Sequence, residues 1–150
     1  MDPTKMTGLE LLLAAEAGKL PRASIAETVP MKAVSIEEGY VKIVARADQR
    51  HLNPLGGVHG GFAATVLDSV TGCAVHSTLE AGVGYGTVDL QVKMLRPVPK
   101  DTDLIAEGRI VHISKNLGVS EGSLKSGDGK LLATATATCF IIRPGLKDNQ

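Results

Sequence analysis

Hydrophobic and polar residues alternate along most of the chain beyond Gly39, and this alternation predicts strands. The segment 40–47 alternates throughout, and we expect it to pair with residues 31–36 across the turn Glu37-Glu38-Gly39. Further strands are predicted at 87–95, 103–113, 117–126 and 131–142, with Gly127-Asp128-Gly129 as the last hairpin turn.

Two of the predicted strands have faces of different chemistry. In the segment 131–142, alanines and Cys139 alternate with threonines, so one face is small and apolar. Strict alternation in 87–95 predicts Val88, Leu90, Val92 and Met94 on one face and Thr87, Asp89, Gln91 and Lys93 on the other. We interpret Asp89 and Gln91 as an ordinary polar strand face.

Two helices precede these later strands. Thr7 and Glu10 form a capping-box pattern, which predicts a short helix over residues 8–17, followed by a linker over 20–30. A loop rich in glycine leads into a long helix predicted from Gly61 to Leu79.

Together these elements predict an α+β fold in which an antiparallel sheet wraps one long central helix. Residues 1–30 should pack on a single domain of residues 31–143, and residues 144–150 should form a tail. One helix covers only part of such a sheet, so we expect dimers that continue the sheet edge to edge.

Composition narrows the class of protein. The 150 residues carry 16 basic and 16 acidic side chains and four aromatic rings, so we expect neither nucleic acid nor a membrane as a partner. The apolar run 11–15 is flanked by glutamates and suits neither a signal peptide nor a membrane span. Cys73 and Cys139 lack metal-type spacing, and we interpret them as buried thiols of a cytoplasmic protein.

The segment from Asn53 to Gly61 is the most informative stretch for chemistry. Its glycines leave the N–H groups of Gly60, Gly61 and Phe62 unshielded at the positive end of the helix dipole, where oxygen anions bind. Two hypotheses stand at this point: a pair of oxyanion donors, or glycines that merely allow a tight entry into the helix.

Asp68 lies on this helix without a nearby Lys or Arg. Helical spacing groups it with Gly61, Ala64, Gly72, Val75 and Leu79, and separates it from Thr65, Ser69 and His76. A partly buried carboxylate beside small residues suits a general base or a nucleophile; the alternative is a structural Asp bonded to nearby backbone.

The histidines offer weaker candidates. His59 and His51 would need a third ligand to hold a metal, and no residue has convincing spacing, so we predict no metal site. His59 is better interpreted as a ring that orients the junction. His76 and His112 match no pattern typical of a functional site, and we interpret both as ordinary polar residues.

These residues resemble the PaaI-like acyl-coenzyme A thioesterases of the hotdog fold over residues 39–143. The resemblance rests on Asn53, the run Gly57-Val-His59-Gly60-Gly61, Asp68 eight residues beyond Gly60, and the segment from Thr87 to Val98. It implies that the Gly60 N–H polarises a thioester carbonyl and that Asp68 of the other subunit attacks it or activates a water. It further implies that Asn53 holds the water or acyl group, with His59 supporting the loop and Thr87 orienting the water.

The resemblance also implies a substrate, an oligomeric state and contacts to coenzyme A. The substrate would be an acyl- or aryl-coenzyme A, with no cofactor beyond the coenzyme A of the substrate, and the protein a homodimer or a dimer of dimers. Candidate contacts to coenzyme A are Gly61, Arg96, Lys115 and Arg143. Some members have Glu at the position of Asp68. The shorter Asp favours water activation, and it leaves an anhydride route open. The alternatives are a non-catalytic acyl-coenzyme A sensor or scaffold, and a hydratase, whose Asp–His pair is not seen.

Overall fold

The computed structural model describes residues 1–145, so the last five residues of the predicted tail lie outside the described part. This described part contains three α-helices and six strands, besides two short 3₁₀ helices. The helices are α1 (Gly8–Glu16), α2 (Ile25–Thr28) and α3 (Gly60–His76). The strands are β1 (Met31–Glu37), β2 (Tyr40–Ala45), β3 (Gly84–Met94), β4 (Leu104–Ile113), β5 (Leu117–Ser126) and β6 (Leu131–Ile142).

The strands form one antiparallel sheet in the order β1-β2-β4-β5-β6-β3, with α3 packed across it. The helix presents a fully buried apolar side to the sheet, including Val66, Leu67, Val70 and Ala74. The small apolar face of β6 lies in the same core, because Ala135, Ala137 and Cys139 are buried. The predicted α+β class and the hotdog arrangement are therefore confirmed.

Local capping chemistry sets the ends of the helices. Thr7 and Glu10 form the predicted capping box at the start of α1. Helix α3 ends at His76, three residues before the predicted end, since the N–H groups of Thr78 and Leu79 bond to the carbonyls three residues earlier and tighten the last turn. The predicted linker contains the short helix α2, which the sequence pattern did not indicate.

A bulge in β3 corrects the predicted faces of that strand. Thr87 pairs with Cys139 and Asp89 pairs with Thr138, so Val88 is the extra residue and is 66% exposed. Beyond the bulge Leu90 packs on the core, and before it Thr87 lies on the same, helix-facing side. The prediction that Thr87 shares a face with Asp89 is wrong, because strict alternation assumes unbroken pairing.

Candidate active site

The junction before α3 leaves one backbone amide free. His59 is the N-cap, and its Nδ1 accepts a hydrogen bond of 2.8 Å from the N–H of Gly61. The N–H of Phe62 donates to the His59 carbonyl at 3.0 Å. Within residues 1–145 the N–H of Gly60 donates to no protein acceptor. Of the three predicted anion-binding amides, only that of Gly60 is available.

Asn53 shapes the loop that leads to this amide. Its side-chain Oδ1 accepts hydrogen bonds from the N–H groups of Leu55 and Gly57, at 2.9 and 3.2 Å. Its backbone N–H donates to the Gly57 carbonyl at 2.8 Å. These bonds orient the Asn53 carboxamide, whose Nδ2 donates to no acceptor in the described chain and can serve a ligand.

Two further candidates near the junction, His51 and Gly61, have structural roles. The His51 ring receives the Asp48 N–H at Nδ1 and lies 2.7 Å from the Thr28 carbonyl through Nε2. Both ring nitrogens of His51 are therefore engaged in contacts within the chain. A Cβ at Gly61 would stand 2.9 Å from the His59 Nδ1, so Gly61 is small because the capping ring lies against it.

Asp68 lies half-buried on α3, beside a cavity of about 310 Å³. Its Oδ1 is buried and has no hydrogen-bond partner among the described residues. Ser69 and Thr87 line the same cavity, whereas Val75 and Leu79 belong to the core. The predicted separation of Asp68 from Ser69 is therefore wrong, because the open side of the helix is wide enough to include both residues.

Two further ionisable groups line this cavity and remain protonated at neutral pH. Burial, with smaller effects of Glu16 and Asp68, raises the pKa of the Cys73 thiol to about 11. Burial also raises the pKa of the Tyr85 hydroxyl. Neither group is a thiolate or phenolate that could attack a substrate, so proton acceptance in the cavity falls to carboxylates.

Thr87 enters the cavity from the sheet side. Its hydroxyl lies 3.7 Å from the Sγ of Cys139, the residue paired with it on β6. This contact is long for a strong hydrogen bond, so the hydroxyl can turn towards a ligand near Asp68.

Within one chain the structure does not bring Gly60 and Asp68 together. They are eight residues apart on α3, which is about 12 Å along the helix axis. Gly60 lines a separate cavity of about 320 Å³ with Met94, Arg96 and Pro97. A site that uses both residues therefore needs a second copy of the chain.

The candidate basic residues occupy both ends of α3. Arg96 lies beside Gly60 at the start of the helix and donates to the Leu131 carbonyl at 2.7 Å. Arg143 lies near the other end, where its Nε donates to the carbonyl of Lys115 at 3.1 Å and its Nη1 is 3.8 Å from Glu80. Both arginines keep donors for a further anion.

Sequence reasoning missed Glu16 and Ser69 as cavity residues. Glu16 comes from α1 and has a buried oxygen, Oε2, without a partner in the described part of the chain. Nothing in the local pattern around Glu16 indicates this, since the contact depends on how α1 packs on β1.

Comparisons with known proteins find similarity to thioesterases. The sequence profile of the Thioesterase superfamily matches residues 55–133. A crystal structure of a phenylacetic acid degradation-related protein from Ralstonia eutropha JMP134 is 34% identical and superposes with a TM-score of 0.79, covering 86% of this chain and 98% of that one. A Streptococcus mutans UA159 protein bound to acetyl CoA is 26% identical, with a TM-score of 0.70 over 75% of this chain and 89% of that one.

Two curated relatives match shorter stretches. Acyl-coenzyme A thioesterase 13 of Homo sapiens is 27% identical over 106 residues, which are 70% of this chain and 75% of the relative. A protein of Halobacterium salinarum is 44% identical over 71 residues, and the match spans 46% of this chain and 46% of that protein.

Proposed function

Because this chain belongs to the Thioesterase superfamily, a family of thioester hydrolases, we propose that it hydrolyses the thioester bond of an acyl-coenzyme A. The main support is the Asp68 Oδ1, a buried carboxylate oxygen without a protein partner beside a cavity. A buried acceptor of this kind is costly unless a water or a ligand donates to it. A water held there would stand next to its own general base.

The site would be shared between two copies of the chain. Strand β3 is at the end of the sheet order, so one of its edges is unpaired within residues 1–145. Antiparallel pairing of two β3 edges about a two-fold axis would also run the two α3 helices antiparallel. The Asp68 of one copy would then approach the Gly60 of the other.

The reaction begins when Asp68 takes a proton from the water as the water oxygen attacks the carbonyl carbon. A C–O bond forms and the electron pair of the C=O bond moves onto oxygen. The Gly60 N–H and the Asn53 Nδ2 donate to this oxyanion, and one such donor contributes on the order of a hundredfold to a thousandfold in rate. The Thr87 hydroxyl orients the water, and His59 holds the junction in place.

Collapse of the tetrahedral intermediate breaks the C–S bond, and the proton on Asp68 passes to the coenzyme A thiolate. The products are a carboxylic acid and a free thiol. Direct attack by an Asp68 oxygen would instead form an anhydride that water then opens. Label in the Asp68 carboxyl after a single turnover in heavy-oxygen water would establish the anhydride route, because only water that opens the anhydride at the Asp68 carboxyl carbon places it there.

The phosphates of coenzyme A would meet the basic residues at the ends of α3. Arg96 lies near the reacting carbonyl site, and Lys115 with Arg143 lies near the opposite end of the helix. We propose Gly61 as a residue that permits the loop geometry, since its amide is bonded to His59. The free thiols of Cys73, which is half-buried, and Cys139, which is buried, fit the cytoplasmic location that we propose.

We expect Asp68→Asn to lower hydrolysis of acyl-coenzyme A by at least about a hundredfold, because the amide cannot accept the proton from water. The matched control is Asp103→Asn, which makes the same change at a side chain that is 65% exposed. Release of free thiol from a panel of acyl and aryl thioesters is the measurement, with circular dichroism as the check on folding.

Full activity of folded Asp68→Asn would remove Asp68 from the mechanism. If the folded native protein hydrolysed no member of the panel but bound acyl-coenzyme A, the protein would be a sensor or scaffold instead.

A further inference from the structure

The cavity beside Asp68 has a polar end and an apolar end. Asp68, Ser69 and Thr87 form the polar end. The apolar end is closed by Leu12 and Ala15 of α1 and by Ala26 of α2, opposite residues of β1 and β2. We call residues 8–28 the N-terminal cap, because this segment covers the part of the cavity that the sheet and α3 leave open.

Polar contacts fasten the cap to the rest of the domain. The Oε1 of Glu16 accepts a hydrogen bond of 3.2 Å from the N–H of Ala33 in β1, and it lies 3.4 Å from the Nε of Arg22. Arg22 also donates to the carbonyl of Met31. At the other end, the N–H of Gly8 donates to the Leu79 carbonyl at 3.0 Å. Helix α1 is thus attached to the domain at both of its ends.

Most of the cap residues that line the cavity are small or aliphatic, and the two charged ones, Glu16 and Arg22, lie beside each other. Ala15 and Ala26 fill little space, and Leu12 is the larger of the two apolar side chains of α1 that line the cavity. An acyl group whose carbonyl is beside Asp68 would share this cavity with these three side chains. Apolar surface of the acyl group that enters this volume leaves water, which favours binding in proportion to its area.

We propose that the N-terminal cap forms the closed end of the acyl pocket and that Leu12 and Ala15 determine the length of acyl group accepted. The inference rests on the proposed thioesterase function and adds the substrate-selecting element to it. The acyl class it favours is an uncharged aliphatic or aryl group that fits between Asp68 and α1.

The test uses two substitutions with opposite effects on cavity length. Ala15→Phe fills the apolar end, and we expect it to reduce kcat/KM at least about tenfold for the longest thioester that the native protein hydrolyses, with acetyl-coenzyme A within about twofold. Leu12→Ala extends the cavity, and we expect the optimum to move to longer acyl chains. Leu13, which is 47% exposed on the same helix, supplies the matched controls Leu13→Phe and Leu13→Ala.

The outcomes separate the two proposals. If the native protein hydrolyses no thioester, the proposed function fails. If it hydrolyses thioesters but folded Ala15→Phe or Leu12→Ala keeps the native length profile, or changes all lengths equally, the cap does not select the substrate. If Ala15→Phe does not fold, Leu12→Ala decides alone, because removing side-chain volume creates no steric overlap.

Discussion

His59 is the residue that makes the Gly60 amide available. Its ring accepts a hydrogen bond from the N–H of Gly61, and its carbonyl accepts one from the N–H of Phe62. Among the described residues, the N–H of Gly60 is therefore left for a ligand. A serine or aspartate would be a more usual N-cap. The ring cap also requires glycine at position 61, because a Cβ there would stand 2.9 Å from the His59 Nδ1.

We predict that His59→Ala lowers the free energy of unfolding by about 0.5–2 kcal/mol, since the N–H of Gly61 loses its acceptor. His59→Asn should restore most of this loss, because a short side-chain oxygen is a good N-cap acceptor. Urea unfolding of the three proteins measures the effect. Equal stability of His59→Ala and the native protein would show that the ring does not contribute as a cap.

At the scale of elements, close contact between α3 and the sheet fixes the position of the helix, and with it Asp68, relative to the strands. The Ser120 hydroxyl of β5 donates to the Thr71 carbonyl of the helix at 3.0 Å, and both residues are fully buried. On β4, a Cβ at Gly108 would overlap the carbonyl oxygen of Val70. The helix therefore lies directly on the sheet backbone at this point.

We predict that Gly108→Ala destabilises the protein by about 1–3 kcal/mol, because the helix must move away from the sheet to admit the methyl group. Gly127→Ala is the matched control, since a Cβ there meets the Asp103 carbonyl oxygen at an ordinary 3.5 Å. Thermal unfolding of both variants is the measurement. A Gly108→Ala protein as stable as the control would contradict the close contact.

At the scale of the whole molecule, the separation of Gly60 from Asp68 means that the proposed activity would depend on assembly of two chains. The two residues line different cavities of one chain, and within residues 1–145 one edge of β3 pairs with no other strand, which leaves it for a second copy. The proposed dimer contains two such sites, each with a loop from one copy and a carboxylate from the other.

Mixing two inactive variants tests this arrangement. Asp68→Asn and Asn53→Ala homodimers should each be strongly impaired, but a mixed dimer has one site with both native residues. After refolding of an equal mixture, random pairing makes half the dimers mixed, so about a quarter of native activity should return. Light scattering checks the dimer. No recovery in mixed dimers would show that both residues act within one chain.

The sequence by itself determined most of the secondary structure and singled out the candidate site residues. Capping, turn and alternation patterns depend on residues close along the chain, so α1, the β1–β2 pair, β5 and β6 were predicted to within a residue or two. The junction at Gly60 and the unpaired Asp68 also stood out, because glycines at a helix start and a carboxylate without a cation are local features.

Only the tertiary structure decided which of these residues meet. The bulge at Val88 depends on the pairing of β3 with β6, and it turned Thr87 towards Asp68 against the local alternation. The packing of α1 brought Glu16 and Ala15 to the cavity from far along the chain. Contacts between distant segments arise from packing and strand pairing, which a pattern read over a few neighbouring residues does not contain.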